Sequence, residues 1–252
     1  MPELTAEPVL IVALVAFALA LGGFVKGATG TGGPLLAVPT MAAFYDVRMA
    51  VVLMAVPNIV VNVVQVRTHA ESWAQLRKGV LMSAGAIPGV VIGTYMLATA
   101  DPDLIALGMA IFITIYIAFR LTNPQFSIRD RVFHAIAAPV GVIGGFMQGV
   151  AGLSGPLALA LLNATRLERS AFIANISLFF LVSSVIQLPA LFGGGLLSWQ
   201  ILGLSILAVF PLVGAVPLGN AAGKRLNRER FNQVILVLIA ILAVRLYWRA
   251  FS

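Results

Sequence analysis

Cysteine is absent from this 252-residue chain, and its two histidines, His69 and His134, lie far apart in sequence. No disulfide, thiolate nucleophile or cysteine-based metal site can form, and no metal or cofactor is expected. Charge is scarce as well. Only 10% of the residues are Asp, Glu, Lys or Arg, 60% are hydrophobic, and the mean hydropathy is +1.02. These values exclude an ordinary soluble domain and describe a polytopic membrane protein with the lipid bilayer as its solvent. Acidic residues are missing from the membrane interior: Glu3, Glu7, Asp46, Glu71, Asp101, Asp103, Asp130, Glu168 and Glu229 all fall between the apolar runs or at their ends. Without a carboxylate at membrane depth, the chain is not suited to bind a cation there, and an anion fits better. An intramembrane enzyme would need a nucleophile with a base, or a set of metal ligands, inside the spans, and neither is found.

The formal charge of +7 could suggest nucleic acid, but the basic residues gather in short loops between apolar runs and form no stripe. They report membrane orientation instead. The runs cover residues 8–28, 34–45, 48–66, 77–98 and 103–119, then 132–150, 155–164, 170–192, 199–219 and 231–248. The first contains Ala-x-Ala at Ala18 to Ala20. The residues before it carry Glu3 and Glu7 and no Lys or Arg, unlike a secretory leader, so the run is read as a span. Runs 34–45 and 155–164 are too short, at about 1.5 Å per residue, to cross a core of about 30 Å, and read as half-helices.

The stretch GGFVKGATGTGGPL at 22–35 returns as GGFMQGVAGLSGPL at 144–157. An internal duplication follows, with one repeat over 1–121 and a second over 122–252. Five segments is an odd number, so the second repeat enters the membrane inverted. The loops at 67–78, 120–131, 163–170 and 224–230 hold twelve of the sixteen basic residues and fall on one face, cytoplasmic by the positive-inside rule. Both termini are then outside. Arg48 and Arg249 are exceptions to this pattern.

Each copy of the motif has too many glycines to continue as one helix, and Pro34 and Pro156 suit the first turn of a new one. The free N–H groups and positive dipole end of such a half-helix attract anions. Gly23 with Gly27, and Gly145 with Gly149, also have the small-xxx-small spacing of closely packed membrane helices. Lys26 favours a binding role, since a cation inside an apolar run costs on the order of 3 kcal/mol and marks a functional site. The expected anion site therefore comprises Lys26 as counter-charge, Thr29, Gly30, Thr31, Gly32 and Gly33, with Gln148, Gly152, Ser154 and Gly155 from the second copy. Asn58, Asn62 and Gln65 share a helix face, and Asn175, Ser177, Ser183, Ser184 and Gln187 occupy the corresponding span. They line a polar pathway or make interhelical hydrogen bonds. Pro88 with Gly89 and Gly93, and Pro211 with Gly214 and Gly219, indicate kinks or close packing.

Two copies of Gly-Phe-x-x-Gly-x-x-Gly-x-x-Gly, each followed by a short helix and three spans, resemble the sulfite exporter TauE/SafE family of permeases over nearly the whole chain. The resemblance implies an all-α, inverted-repeat transporter in the bacterial inner membrane that carries sulfite or small organosulfonates such as sulfoacetate by alternating access. A passive anion channel and a permease for another anion, such as a carboxylate, are the alternatives, and a homo-oligomer is left open. Members often have three glycines where this chain has Gly32, Gly33 and Pro34.

Overall fold

The computed structural model describes residues 6–30, 33–44, 46–123, 127–153, 155–223 and 228–251. Among them, eleven α-helices follow in order: α1 Ala6–Thr29, α2 Gly33–Phe44, α3 Val47–Thr68, α4 Arg77–Thr99, α5 Pro102–Thr122, α6 Asp130–Ala151, α7 Gly155–Asn163, α8 Arg169–Gly193, α9 Trp199–Leu207, α10 Val209–Gly223 and α11 Arg228–Phe251. A 3-10 turn, Ala70–Gln75, precedes α4. Eight helical stretches are long and apolar enough to cross a bilayer, with α9 and α10 counted together as Trp199–Gly223. The protein is an all-α membrane protein.

Every apolar run in the sequence becomes a single helix except 199–219, which divides at Ala208. Pro211 has no N–H for the Leu207 carbonyl, and its ring crowds the preceding turn, so α9 stops and α10 starts again. Pro57 acts more gently within α3. It cannot bond the Leu53 carbonyl, but the Ser205 hydroxyl of α9 donates to that carbonyl (3.1 Å) and accepts from the Val56 N–H (3.1 Å). The proline opens the helix and a neighbouring helix satisfies what it releases.

Both breaks in the glycine motif use a left-handed glycine. Gly30 (φ 78°) bonds the Lys26 carbonyl through its N–H at 2.8 Å, and Gly152 (φ 65°) bonds that of Gln148 at 2.9 Å. In each, a residue without a Cβ ends the helix and turns the chain toward a half-helix. At 12 and 9 residues, α2 and α7 reach about 18 and 14 Å, short of a membrane core.

α3 and α8 form the centre, with 56% and 61% of their most apolar windows buried, against 22 to 50% in the other spans. Asn58 meets Ser184 and Gln65 meets Ser177, so the two helices run antiparallel. Two glycine-lined interfaces flank them. A Cβ on Gly23 would lie 1.9 Å from the Leu212 carbonyl oxygen of α10, and one on Gly145 would lie 2.3 Å from that of Ala86 of α4. Gly27 and Gly149 repeat the contact one turn on, while Gly89, Gly93 and Gly219 present their own bare backbones in return. These glycines therefore serve close packing. A Cβ on Gly214 would meet nothing within 4 Å, so no close backbone approach requires glycine there.

At the basic face, the 3-10 turn is latched to the start of α8. Ser170 donates to Glu71, and its oxygen lies 3.0 Å from the Ser72 hydroxyl and 2.9 Å from His69 Nδ1. Because the Ser170 proton goes to Glu71, the Ser72 hydroxyl and His69 Nδ1–H are the donors there. The Ser170 hydrogen bond holds the Glu71 carboxyl below its usual range. Nearby, Lys78 pairs with Asp130 at 2.6 Å. On the opposite side, Arg48 donates to the Leu97 and Ala100 carbonyls at the end of α4, and Arg245 and Arg249 donate to Ala43 and Ala42 at the end of α2. Arg48 and Arg249, the exceptions to the charge pattern, are helix caps whose cations sit at the negative ends of helix dipoles.

Candidate functional site

The Lys26 side chain is wholly buried in the last turn of α1. Its Nζ donates to Asn62 Oδ1 at 2.9 Å and stands 5.4 Å from the centre of the Phe180 ring. Asn62 Nδ2 donates to Asn58 Oδ1 (2.9 Å) and to the Asn58 carbonyl (2.7 Å), and Asn58 Nδ2 donates to Ser184 Oγ (2.7 Å). Each amide is oriented by the next, so Asn62 turns its oxygen toward the ammonium. A lysine head has three donors, and only the one to Asn62 finds an acceptor among the described residues. No carboxylate pairs with it there. The described lysine–carboxylate pair, Lys78–Asp130, lies at the basic face.

Two other polar groups lie along the α3–α8 seam. Gln65 donates to the Gly30 carbonyl at 2.9 Å and accepts from Ser177 at 2.8 Å. Gln187 donates to the carbonyls of Gln148 (3.0 Å) and Gly149 (3.3 Å), while Gln148 Nε2 donates back to Gln187 Oε1 (3.0 Å). The two glutamines do the same work, supplying N–H groups to carbonyls that a broken helix leaves unpaired. Ser184 faces Asn58, so on antiparallel helices Gln187 stands ten residues from the level of Gln65, about 15 Å along the axis. The two helix ends expected to surround one anion are therefore at different depths.

The starts of the half-helices are less far apart. A Cβ on Gly33, the first residue of α2, would be 3.2 Å from Lys26 Cβ and Cδ, and one on Gly155, the first of α7, would be 3.7 Å from Phe180 Cζ. Lys26 and the ring beside it thus lie between two helix N-termini. Among the expected site residues, Lys26, Asn58, Asn62 and Gly33 come together, with Gly155 behind Phe180. Gly30 with Gln65, and Gln148, Gly152 and Gln187, form the groups to either side. Thr29 turns its hydroxyl back to the Val25 carbonyl at 2.9 Å. Thr31, Gly32 and Ser154 lie outside the described residues. Asn175 stands apart, since it caps the start of α4 by accepting from the Gly79 N–H (2.6 Å) and donates to the Gln75 and Ala171 carbonyls.

Phe180 was not among the residues expected from sequence. It occupies the position of Asn58 at the repeat offset of 122, so the signal was an apolar ring opposite a polar partner in the other copy.

With this geometry in place, comparison with protein-family models finds a match described as sulfite exporter TauE/SafE over residues 14–246. The chain belongs to the sulfite exporter TauE/SafE family. Membership makes it a multi-pass membrane protein of a transporter family. Comparisons with curated proteins and with solved structures give no match. For a TauE/SafE chain the position of Lys26 is physically pointed: a buried ammonium is stable only when paired and hydrogen-bonded, and the described residues supply an amide and a ring but no anion.

Proposed function

We propose that this protein is a permease for a small sulfur-containing oxyanion, sulfite or an organosulfonate, which it binds beside Lys26 and passes across the bacterial inner membrane by alternating access. The observation that carries the reading is the wholly buried Lys26 head, with one donor on Asn62, a ring at 5.4 Å and no carboxylate partner among the described residues. An oxyanion supplies the missing charge and accepts the remaining N–H donors, and the starts of α2 and α7 add favourable dipole ends. The basic-face loops are assigned to the cytoplasm and the termini to the periplasm.

Alternating access is supported by the duplication. In it, residues 1–121 and 122–252 are inverted repeats. The antiparallel pairing of α3 with α8 supports this, as do the exchanged contacts of α1 with α10 and α6 with α4. Rocking of the two glycine-lined pairs about the α3–α8 seam would expose Lys26 to each side in turn.

Purified protein in proteoliposomes tests the reading by counterflow of radiolabelled sulfite. Saturable counterflow, competed by sulfonates and not by acetate, is expected. Non-saturable flux would identify a channel, and competition by acetate a carboxylate permease.

A further inference from the structure

The hydroxyl of Ser183 is wholly buried, within a span, and has no hydrogen-bond partner among the described residues. A helical serine usually has an easy exit, because its oxygen can bond the carbonyl one turn back. Thr29, Thr40 and Thr114 do this in the same protein. Ser183 does not. A buried hydroxyl left unpaired is unfavourable to the fold; Ser83 and Thr94 of α4 share that state, and what sets Ser183 apart is the set of groups around it.

The neighbours of Ser183 indicate what kind of partner suits it. Residues 180, 183, 184 and 187 are spaced along one side of α8. Phe180 meets the start of α7 at Gly155, Ser184 takes Asn58 of α3, and Gln187 holds Gln148 and Gly149 of α6. Ser183 lies between Phe180 and Gln187, on the flank of this face turned away from Ser184 and therefore from α3. From Gly155, α7 descends toward the basic face, where the Ala164 carbonyl beyond its end accepts from the Ile128 N–H. The positive end of α7 thus points up α8 from Phe180 toward the turn that carries Ser183. Its first N–H groups have no intrahelical acceptor.

We propose that Ser183 and the N-terminus of α7 form a second oxyanion station, separated from Lys26 by the Phe180 ring and closed on its far side by the Gln148–Gln187 pair. The inference rests on the transport reading above and extends it from one binding position to two. The stations differ in chemistry. Lys26 offers a full charge, whereas the second offers a hydroxyl and helix N–H groups, all neutral donors, and so suits a singly charged oxyanion such as a sulfonate or hydrogensulfite. Phe180 serves as the divider: its face is toward the ammonium and its edge toward α7. An anion moving between stations must pass this ring, so loss of the second station slows translocation more than it weakens binding at Lys26.

The experiment uses full-length protein with sulfite and methanesulfonate as probes, and compares wild type with Ser183→Ala, Lys26→Gln and Ser83→Ala. Ser83, which like Thr94 is a buried hydroxyl on α4 without a partner among the described residues, controls for the loss of such a group in itself. Ser183→Ala is expected to keep or raise the melting temperature, leave sulfite affinity within about twofold, and slow counterflow of both probes about tenfold, the effect of one hydrogen bond to a charged oxygen. Ser83→Ala should leave counterflow unchanged. Unaltered counterflow in Ser183→Ala overturns the second station, and so does a large fall in its melting temperature, which would make the hydroxyl structural. If wild type shows no saturable sulfite counterflow, the transport reading fails and this inference with it. If wild type transports and only Lys26→Gln is unaffected, the Lys26 assignment falls and the Ser183 result stands.

Discussion

At the residue scale, Lys26 is held by its surroundings in a way that makes its replacement informative. Lys26→Gln copies the residue at Gln148 and keeps a donor for Asn62, but removes the charge. A charge-assisted hydrogen bond contributes about 1.5 to 3 kcal/mol, so sulfite affinity measured by calorimetry should fall roughly ten- to a hundredfold. Lys26→Arg should rescue poorly, because the stem lies against the start of α2, with Lys26 Cδ only 3.2 Å from where a Cβ on Gly33 would be. The planar guanidinium is broader than an ammonium and needs room that a wholly buried site does not offer. A lysine that merely extended to the membrane surface would tolerate both changes. The residue could be picked out in the sequence because a lone cation in an apolar run is costly wherever the run folds. Phe180 could not, since an apolar ring at the position that Asn58 holds in the other copy points to a site only once a cation is found above it.

At the scale of single elements, the helices carry their own repairs. Ser205 donates to the Leu53 carbonyl that Pro57 leaves without a partner in α3 and accepts from the Val56 N–H beside it, so Ser205→Ala should destabilise the protein by about 1 to 3 kcal/mol. A lower unfolding midpoint in detergent, with sulfite affinity near wild type, is the expected result. The latch at the basic face makes a prediction in pH. The Glu71 carboxyl is held below its usual range chiefly by the Ser170 hydroxyl, so its folded pKa lies below its unfolded one. Its contribution is present above the unfolded pKa, near 4.3 for a free glutamate, and is lost as pH falls through the folded value. The melting temperature of wild type should therefore drop more on acidification through that window than that of Glu71→Gln. Equal slopes would mean that the latch adds nothing. Because Glu71 is exposed, the effect is screened and small.

At the scale of the whole molecule, side assignment is the testable property. In this cysteine-free chain, Ser127→Cys and Thr99→Cys place single thiols at exposed positions in opposite groups of loops. An impermeant maleimide added from the periplasm should label the thiol at 99 and spare the one at 127. Labelling at 127 would reverse the orientation. The same measurement bears on the inversion of the repeats, because α3 and α8 can run antiparallel as equivalent helices only if the second repeat enters from the other face.

Much of this architecture could be read from the amino acids alone, because the physics involved is local. Apolar runs of about twenty residues become spans because buried backbone must bond within its own helix. Glycines followed by proline break a span because no L-residue with a Cβ takes φ 78° or 65° without strain. What each glycine of the motif does was not local. Gly30 and Gly152 end helices, whereas Gly23, Gly27, Gly145 and Gly149 bring α1 against α10 and α6 against α4. Sequence spacing allows either role, and the presence of a partner backbone decides it. The polar residues of α3 and α8 divide in the same way: Asn62 reaches Lys26 and Asn58 orients Asn62, Gln65 and Gln187 seal broken helix ends, and Asn175 caps α4. Their spacing put them on the inner faces of two helices. Only the antiparallel register of those helices, which sets the depth at which each side chain meets its neighbours, determined which of them stand beside the buried charge.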